Sequence, residues 1–127
     1  VGVTPGVLSA GAIDTVSADA VTLDAVLLYG NRVGFTPLNC NGTIDVAARP
    51  SLEEGTSCGL PTAAADPLLA PLAANGGPTL TRGLYPGSPA LDAVDGCGLG
   101  ATDQRGFSRP ADDCDIGAFE QEKKKRR

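Results

Sequence analysis

The chain contains no histidine, no tryptophan and no methionine, and only five of its residues are aromatic. Histidine is the commonest general base near neutral pH and the commonest metal ligand, so its absence removes most hydrolase mechanisms. With so few rings, the interior must consist of valine, leucine, isoleucine and alanine side chains, which suit narrow, stacked β-layers. We therefore expect a structural protein rather than an enzyme.

Long hydrophobic runs are absent as well. No apolar stretch reaches the roughly 18 residues of a transmembrane helix, so the sequence predicts no membrane span. The net charge is −5, and because residues 123–127 are all basic, the residues before them carry −10. Such a surface repels nucleic-acid phosphates, so we expect no nucleic-acid partner.

Glycine and proline, by contrast, are abundant, with 17 and 10 of the 127 residues. Between residues 66 and 120 they interrupt the chain so often that an amphipathic helix is disfavoured. From Val21 to Leu27 the apolar residues recur with a period of two, which indicates a strand. Similar short apolar segments predict at most two turns of a β-solenoid within residues 1–38. Residues 24–29 also allow a short helix, since leucine and alanine favour that conformation.

The four cysteines include no Cys-x-x-Cys pair. In a small acidic chain this pattern predicts disulfides formed in an oxidising compartment rather than a zinc site. Of the three pairings, we favour Cys40 with Cys58 and Cys97 with Cys114, because each pair brackets a glycine-rich loop of similar length. Closing such a loop contributes about 3 kcal/mol in the chain-entropy model. Reduced structural thiols are the alternative.

These patterns divide the chain into four segments. Short solenoid turns are predicted over residues 1–38, a β-excursion closed by its own disulfide over 39–65, an irregular C-terminal module over 66–120, and a disordered basic tail over 121–127.

Local signals add detail within the segments. Asp66 and Pro67 suit the N-cap and first position of a single helical turn, and strands are predicted over 79–84 and 90–94. The sequon that begins at Asn41 is interpreted as an Asn-Gly turn rather than as a glycan acceptor.

Several short motifs carry a resemblance to a known family. They are Asp66-Pro67-Leu68, Asn75-Gly76-Gly77-Pro78-Thr79, Pro86-Gly87-Ser88-Pro89-Ala90, Asp92, Thr102-Asp103-Gln104-Arg105-Gly106, Arg109 and Cys114-Asp115-Ile116-Gly117-Ala118-Phe119-Glu120. In these motifs the chain resembles the C-terminal module of choice-of-anchor Q domain proteins, which are secreted bacterial proteins with right-handed parallel β-helix repeats. The earlier Asn39-Cys40 and Gly55-Thr56-Ser57-Cys58-Gly59 also look like the segment that precedes this module in the family, so the resemblance covers roughly two thirds of the chain. Val94 departs from it by standing where the family often has glycine.

The resemblance implies a fold and a location. We expect an all-β fold, the C-terminal part of a right-handed parallel β-helix with an irregular, disulfide-closed cap, in a secreted or cell-surface protein of a bacterium. The last turn of a β-helix exposes unpaired N–H and C=O groups, which such a cap would cover. The edge near Val1 would remain open, so we expect self-association or binding to another surface protein, with no cofactor.

Arg105 and Arg109 are the candidate functional arginines. Parallel β-helix polysaccharide lyases use arginine or lysine bases, and that analogy rests on fold class alone. We favour a structural role, in which Arg105 forms a fixed ion pair with one of three nearby acids. These acids are Asp103, Asp115 and Glu120.

The residues around Cys114 are acidic, and Asp112, Asp113 and Asp115 together are a weak candidate for a calcium site. Their spacing does not match a calcium-binding loop, and a solvated acidic turn is favoured. With Arg105 and Arg109 they define the alternative function, in which the protein binds or cleaves an acidic polysaccharide. The basic residues 123–127 are interpreted as a solvated tail rather than as a lipid contact.

Overall fold

The computed structural model describes residues 12–15, 21–47, 49–61 and 66–123, and this part of the chain contains ten short strands and no helix. The strands are β1 (Ile13–Asp14), β2 (Val21–Leu23), β3 (Leu27–Leu28), β4 (Arg32–Val33), β5 (Thr36–Pro37), β6 (Cys40–Asn41), β7 (Ile44–Val46), β8 (Leu52–Glu53), β9 (Leu69–Ala73) and β10 (Thr81–Leu84). The predicted all-β class is thereby confirmed.

The helical alternative for residues 24–29 and the helical turn predicted after Asp66 are both wrong. Ala25 has a φ of 55°, outside the helical region, and β3 begins two residues later. Leu68 likewise has a φ of 50°, and its N–H donates to the Asp66 carboxylate at 2.8 Å. The aspartate therefore caps a tight turn that leads into β9, rather than a helix.

Three strands of the first half pair in parallel with three later strands in the same order. The pairs are β1 with β6, β2 with β7 and β3 with β8, in which residues 13, 21 and 27 face residues 40, 44 and 52. The chain thus returns beside itself after 23 to 27 residues. Because the partners come from either side of position 38, the predicted segments 1–38 and 39–65 share their ladders.

The remaining strands form two antiparallel hairpins, β4 with β5 and β9 with β10. The strand predicted over 79–84 corresponds to β10. The strand predicted over 90–94 is wrong, because this segment consists of turns with one isolated bridge, from Val94 to Cys114. Asp92 has a φ of 52°, which no extended strand accommodates.

Two hydrophobic clusters lie on opposite faces of the β3–β8 pair. Successive side chains of a strand point to opposite faces. Leu28 packs against the first cluster, whereas Leu27 packs against the second, which includes Leu52. The first cluster consists of Leu23, Cys40, Cys58 and Leu60, and the second of Leu52, Leu84, Ala90, Val94, Cys97, Cys114 and Ile116.

The C-terminal module lies beside the parallel strands. Its cluster includes Leu52, and Ala25 and Leu27 pack against it. The Gly117 N–H also donates to the Ala25 carbonyl at 3.0 Å. The sequence had led us to expect the module over the edge of the last turn, but these contacts are with the outer face of β3 and β8. That face is apolar because residues 25, 27 and 52 present a second set of apolar side chains.

Candidate functional site

Both predicted disulfides are present, which confirms the favoured pairing over reduced thiols. Cys40 is bonded to Cys58 and Cys97 to Cys114, and they close loops of 18 and 17 residues. One disulfide belongs to each hydrophobic cluster. Each half of the described structure therefore has its own covalent link.

Arg105 is the centre of the most extensive polar network in the module. Its Nε donates to Asp103 Oδ2 at 2.8 Å, and its Nη2 lies 2.7 Å from the same oxygen. Nη1 donates to the Asn75 carbonyl at 3.2 Å and Nη2 to the Glu120 carbonyl at 2.6 Å. Of the three acids considered from the sequence, Asp103 is the ion-pair partner.

Two aromatic rings contact the Arg105 guanidinium. Its central carbon lies 4.3 Å from the centroid of Phe107 and 3.8 Å from that of Phe119. Such cation–π contacts gain strength where water is excluded, and the Arg105 side chain is only 5% exposed. Arg105 therefore fastens three separate segments together, and its donors point into the protein rather than at solvent.

Asp103 completes this network as an acceptor. Its Oδ1 accepts from the N–H groups of Arg105 and Phe107, and its Oδ2 accepts from the N–H of Glu120. Burial raises the pKa of Asp103, but the hydrogen bonds from the Arg105 side chain and from the three N–H groups outweigh it, so the pKa lies below its usual value. The carboxylate is therefore held in its charged form.

Arg109 pairs with a different acid, Glu120. Arg109 Nη1 lies 2.8 Å from Glu120 Oε2, and the same guanidinium donates to the carbonyls of Asp115 and Gly117. Glu120 Oε2 also accepts from the Asp115 N–H at 3.0 Å. Among the described residues, Glu120 Oε1 is the one buried side-chain polar atom without a hydrogen-bond partner.

This incomplete pairing affects the titration of Glu120. Burial raises the pKa of Glu120 above its usual value, and the Asp115 carboxylate raises it further. The Asp115 N–H and Arg109 lower it only in part. Glu120 and Asp103 thus lie in one network but are shifted in opposite directions.

The acidic residues around Cys114 do not converge. Asp115 is buried and accepts from the N–H groups of Asp92 and Gln121 at 2.8 and 2.6 Å. Asp112 is exposed and accepts from the Gly96 N–H, and Asp113 is exposed with a φ of 55°. Within the described ranges, no group of three or more acidic or cysteine side chains is arranged to hold a metal ion.

Sequence reasoning missed a fourth buried acid, Glu53. Its carboxylate accepts from the Cys58 N–H at 3.0 Å, from Ser57 Oγ at 3.2 Å and from the Asn39 side chain at 3.3 Å. Glu53 and Asn39 are both fully buried. The only signal in the sequence is the polar Ser-Leu-Glu-Glu-Gly-Thr segment that precedes Cys58.

The loop after Glu53 also covers part of the edge of the parallel strands. Cys40 belongs to β6, and its N–H donates to Ser57 Oγ at 3.2 Å rather than to a neighbouring strand. Part of the outer edge of β6 is therefore occupied by the disulfide loop.

The outer edge of β7 is different. The Val21 N–H donates to the Thr43 carbonyl, and the Ala47 N–H donates to the Leu23 carbonyl. In a parallel ladder this register directs the N–H and C=O groups of Ile44 and Val46 away from β2. No described residue pairs with them, and the Val46 side chain is exposed. The edge expected at Val1 lies outside the described residues.

The chain's last described residue, Lys123, forms an exposed ion pair with Asp92 at 2.9 Å. The rest of the basic tail, 124–127, lies outside the described residues. In the part of the chain that the structure describes, no helix has the length and apolar character needed to cross a membrane.

In the part of the chain that the structure describes, the fold is all-β and disulfide-bonded, the outer edge of β7 has no partner strand, and the Arg105 network is buried. Comparison with protein-family models, with curated proteins and with solved structures finds no match to the chain.

Proposed function

We propose that the chain is a non-catalytic structural module of an exported bacterial surface protein, which associates with itself or with a partner surface protein through an open β-edge. The observation that carries this proposal is the outer edge of β7. The backbone groups that Ile44 and Val46 present there have no partner among the described residues, and an uncovered edge of this kind is a template for strand addition.

The proposal includes a finer description of the fold. The three parallel pairs are two successive turns of a right-handed parallel β-helix, and the module over 66–120 is its C-terminal element. The common return distance of 23 to 27 residues supports this description, because each pair is displaced along the chain by a similar length. The resemblance to choice-of-anchor Q domain proteins supports the secreted setting, as do the two disulfides.

The arginine network supports a structural rather than a catalytic role. Arg105 and Arg109 donate to Asp103, Glu120 and backbone carbonyls, so neither guanidinium is available as a base or as a ligand for an acidic glycan without breaking these bonds. We therefore do not favour a polysaccharide-acting function.

Light scattering of the parent chain and of Val46→Lys tests the edge. A lysine on an exposed edge strand opposes edge-to-edge pairing, and the Val46 side chain is 42% exposed, so the fold should tolerate it. We expect the parent to form assemblies larger than a monomer and Val46→Lys to remain monomeric.

The matched control is Phe35→Lys, which adds the same charge at a fully exposed apolar residue in the β4–β5 turn. This variant should assemble as the parent does. A parent chain that is a monodisperse monomer and binds no added strand peptide would count against association through the β7 edge. Equal loss of assembly in both variants would count against it as well.

A further inference from the structure

An apolar groove opens between the β9–β10 hairpin and the segment around Ile116. Its volume is about 240 Å³. Leu84 and Ile116 are buried, whereas Leu72 and Leu80 are 56% and 54% exposed. The leucines and isoleucine that line it are Leu27, Leu69, Leu72, Leu80, Leu84 and Ile116.

One cation, Arg82, lies on this groove. Arg82 faces Leu72 directly across the hairpin, and residues opposite each other in an antiparallel pair share a face of the sheet. Its Nη1 donates to the Ala70 carbonyl at 3.2 Å. The guanidinium is therefore held over β9, beside the exposed leucine of the groove.

Arg82 differs from every other described cation in having no acidic partner. Within the described ranges, each of the others lies within 2.9 Å of a carboxylate oxygen. These pairs are Arg32 with Glu54, Arg49 with Asp24, Arg105 with Asp103, Arg109 with Glu120 and Lys123 with Asp92. In a chain with an excess of acidic residues, an arginine without a carboxylate partner at an apolar groove indicates a place for an external anion.

We propose that the groove binds a small amphipathic carboxylate, in which a single ring or short acyl chain fills the apolar part and the carboxylate pairs with Arg82. An apolar cavity of about 150 Å³ is sufficient to hold a benzene ring, so 240 Å³ holds a ring and a short chain that reaches the guanidinium. Arginine binds carboxylates through parallel N–H donors. This site is independent of the β7 edge.

Titration of the full chain with 3-phenylpropionate, followed by NMR of leucine methyl groups, tests the proposal. We expect saturable shifts of the Leu72 and Leu80 methyl signals. A neutral analogue, 3-phenylpropan-1-ol, should bind about tenfold more weakly, because a hydrogen-bonded charge pair is worth about one power of ten in affinity.

Arg82→Gln should weaken 3-phenylpropionate binding about tenfold while leaving the alcohol's affinity unchanged. Arg49→Gln is the matched control, since Arg49 is exposed and already paired with Asp24, and it should bind as the parent does. Leu72→Asn, at an exposed position, should weaken both ligands. Equal affinity for acid and alcohol, no effect of Arg82→Gln, or shifts confined to other methyl groups would overturn the proposal, whatever the outcome of the assembly test.

Discussion

At the scale of single residues, the two carboxyl groups of the Arg105 network differ in how completely they are satisfied. Asp103 accepts hydrogen bonds at both oxygens, whereas Glu120 leaves Oε1 without a partner. A buried polar atom without a partner is costly. The same network thus stabilises the charge of Asp103 but leaves the charge of Glu120 incompletely paired.

This difference predicts opposite pH dependences for Asp103→Asn and Glu120→Gln. The folded-state pKa of Asp103 is lowered, so its contribution to stability is present above the unfolded-state pKa of about 3.9 and is lost as the pH falls through the folded value. The folded-state pKa of Glu120 is raised, so its contribution is present at low pH and is lost as the pH rises through that value.

Thermal unfolding at about pH 3, 5 and 7, values that span the range in which carboxyl groups titrate, measures both effects. Relative to the parent, Asp103→Asn should become less stable as the pH rises, by about 3–5 kcal/mol at neutral pH, because it leaves Arg105 buried without its counter-charge. Glu120→Gln should become relatively more stable over the same range. A common sign for the two variants would contradict this account of the network.

At the scale of elements, turns with positive φ join the strands, and the turn that contains Gly77 lies against the backbone of Arg105. Gly77 has a φ of 77°, and a Cβ there would lie 2.6 Å from the Arg105 Cα. Gly30 has the same φ of 77°, but a Cβ there would meet no atom within 4 Å. The two glycines therefore separate the effect of backbone conformation from that of close packing.

Gly77→Ala should destabilise the protein by about 1–3 kcal/mol more than Gly30→Ala, because only the first forces the Arg105 backbone to move. Both variants share the cost of a left-handed alanine, about 1–2 kcal/mol. Chemical denaturation of the two variants beside the parent gives the difference. Equal losses would mean that the turn over 75–78 and the Arg105 loop are not in firm contact.

The accuracy of sequence reasoning also varied from element to element. The disulfide pairs could be predicted, and the partner of Arg105 could be limited to Asp103, Asp115 or Glu120, because each depends on residues close in sequence. Glu53 could not, since its burial depends on N–H groups that fold back from the loop after it. The position of the module could not be predicted either, because β3 is apolar on both faces and the sequence does not indicate which face the module packs against.

At the scale of the whole molecule, β3 and β8 couple the two halves of the described structure. Leu52 is buried in one cluster, and the neighbouring Glu53 accepts hydrogen bonds from the loop that closes the other. Neither face of the pair can lose its packing without exposing the other half. We therefore expect one cooperative unfolding transition rather than two.

Leu52→Ala should lower the free energy of unfolding by about 2–5 kcal/mol and should accelerate hydrogen exchange in both halves. Amide exchange at Cys58 and at Cys114, each a buried member of a different cluster, reports on the two halves separately. Faster exchange at Cys114 alone would show that the halves open independently.

The lateral position of the module has a consequence for the length of the ladder. The module packs on the face of β3 and β8 that carries Leu27 and Leu52, and not on the backbone groups that pair these two strands. In the β-helix proposed above, a further turn of some 23 to 27 residues between β8 and the module would extend the ladder and keep the Leu27 and Leu52 contacts. Under that proposal, the chain could gain length without a change in how the module packs.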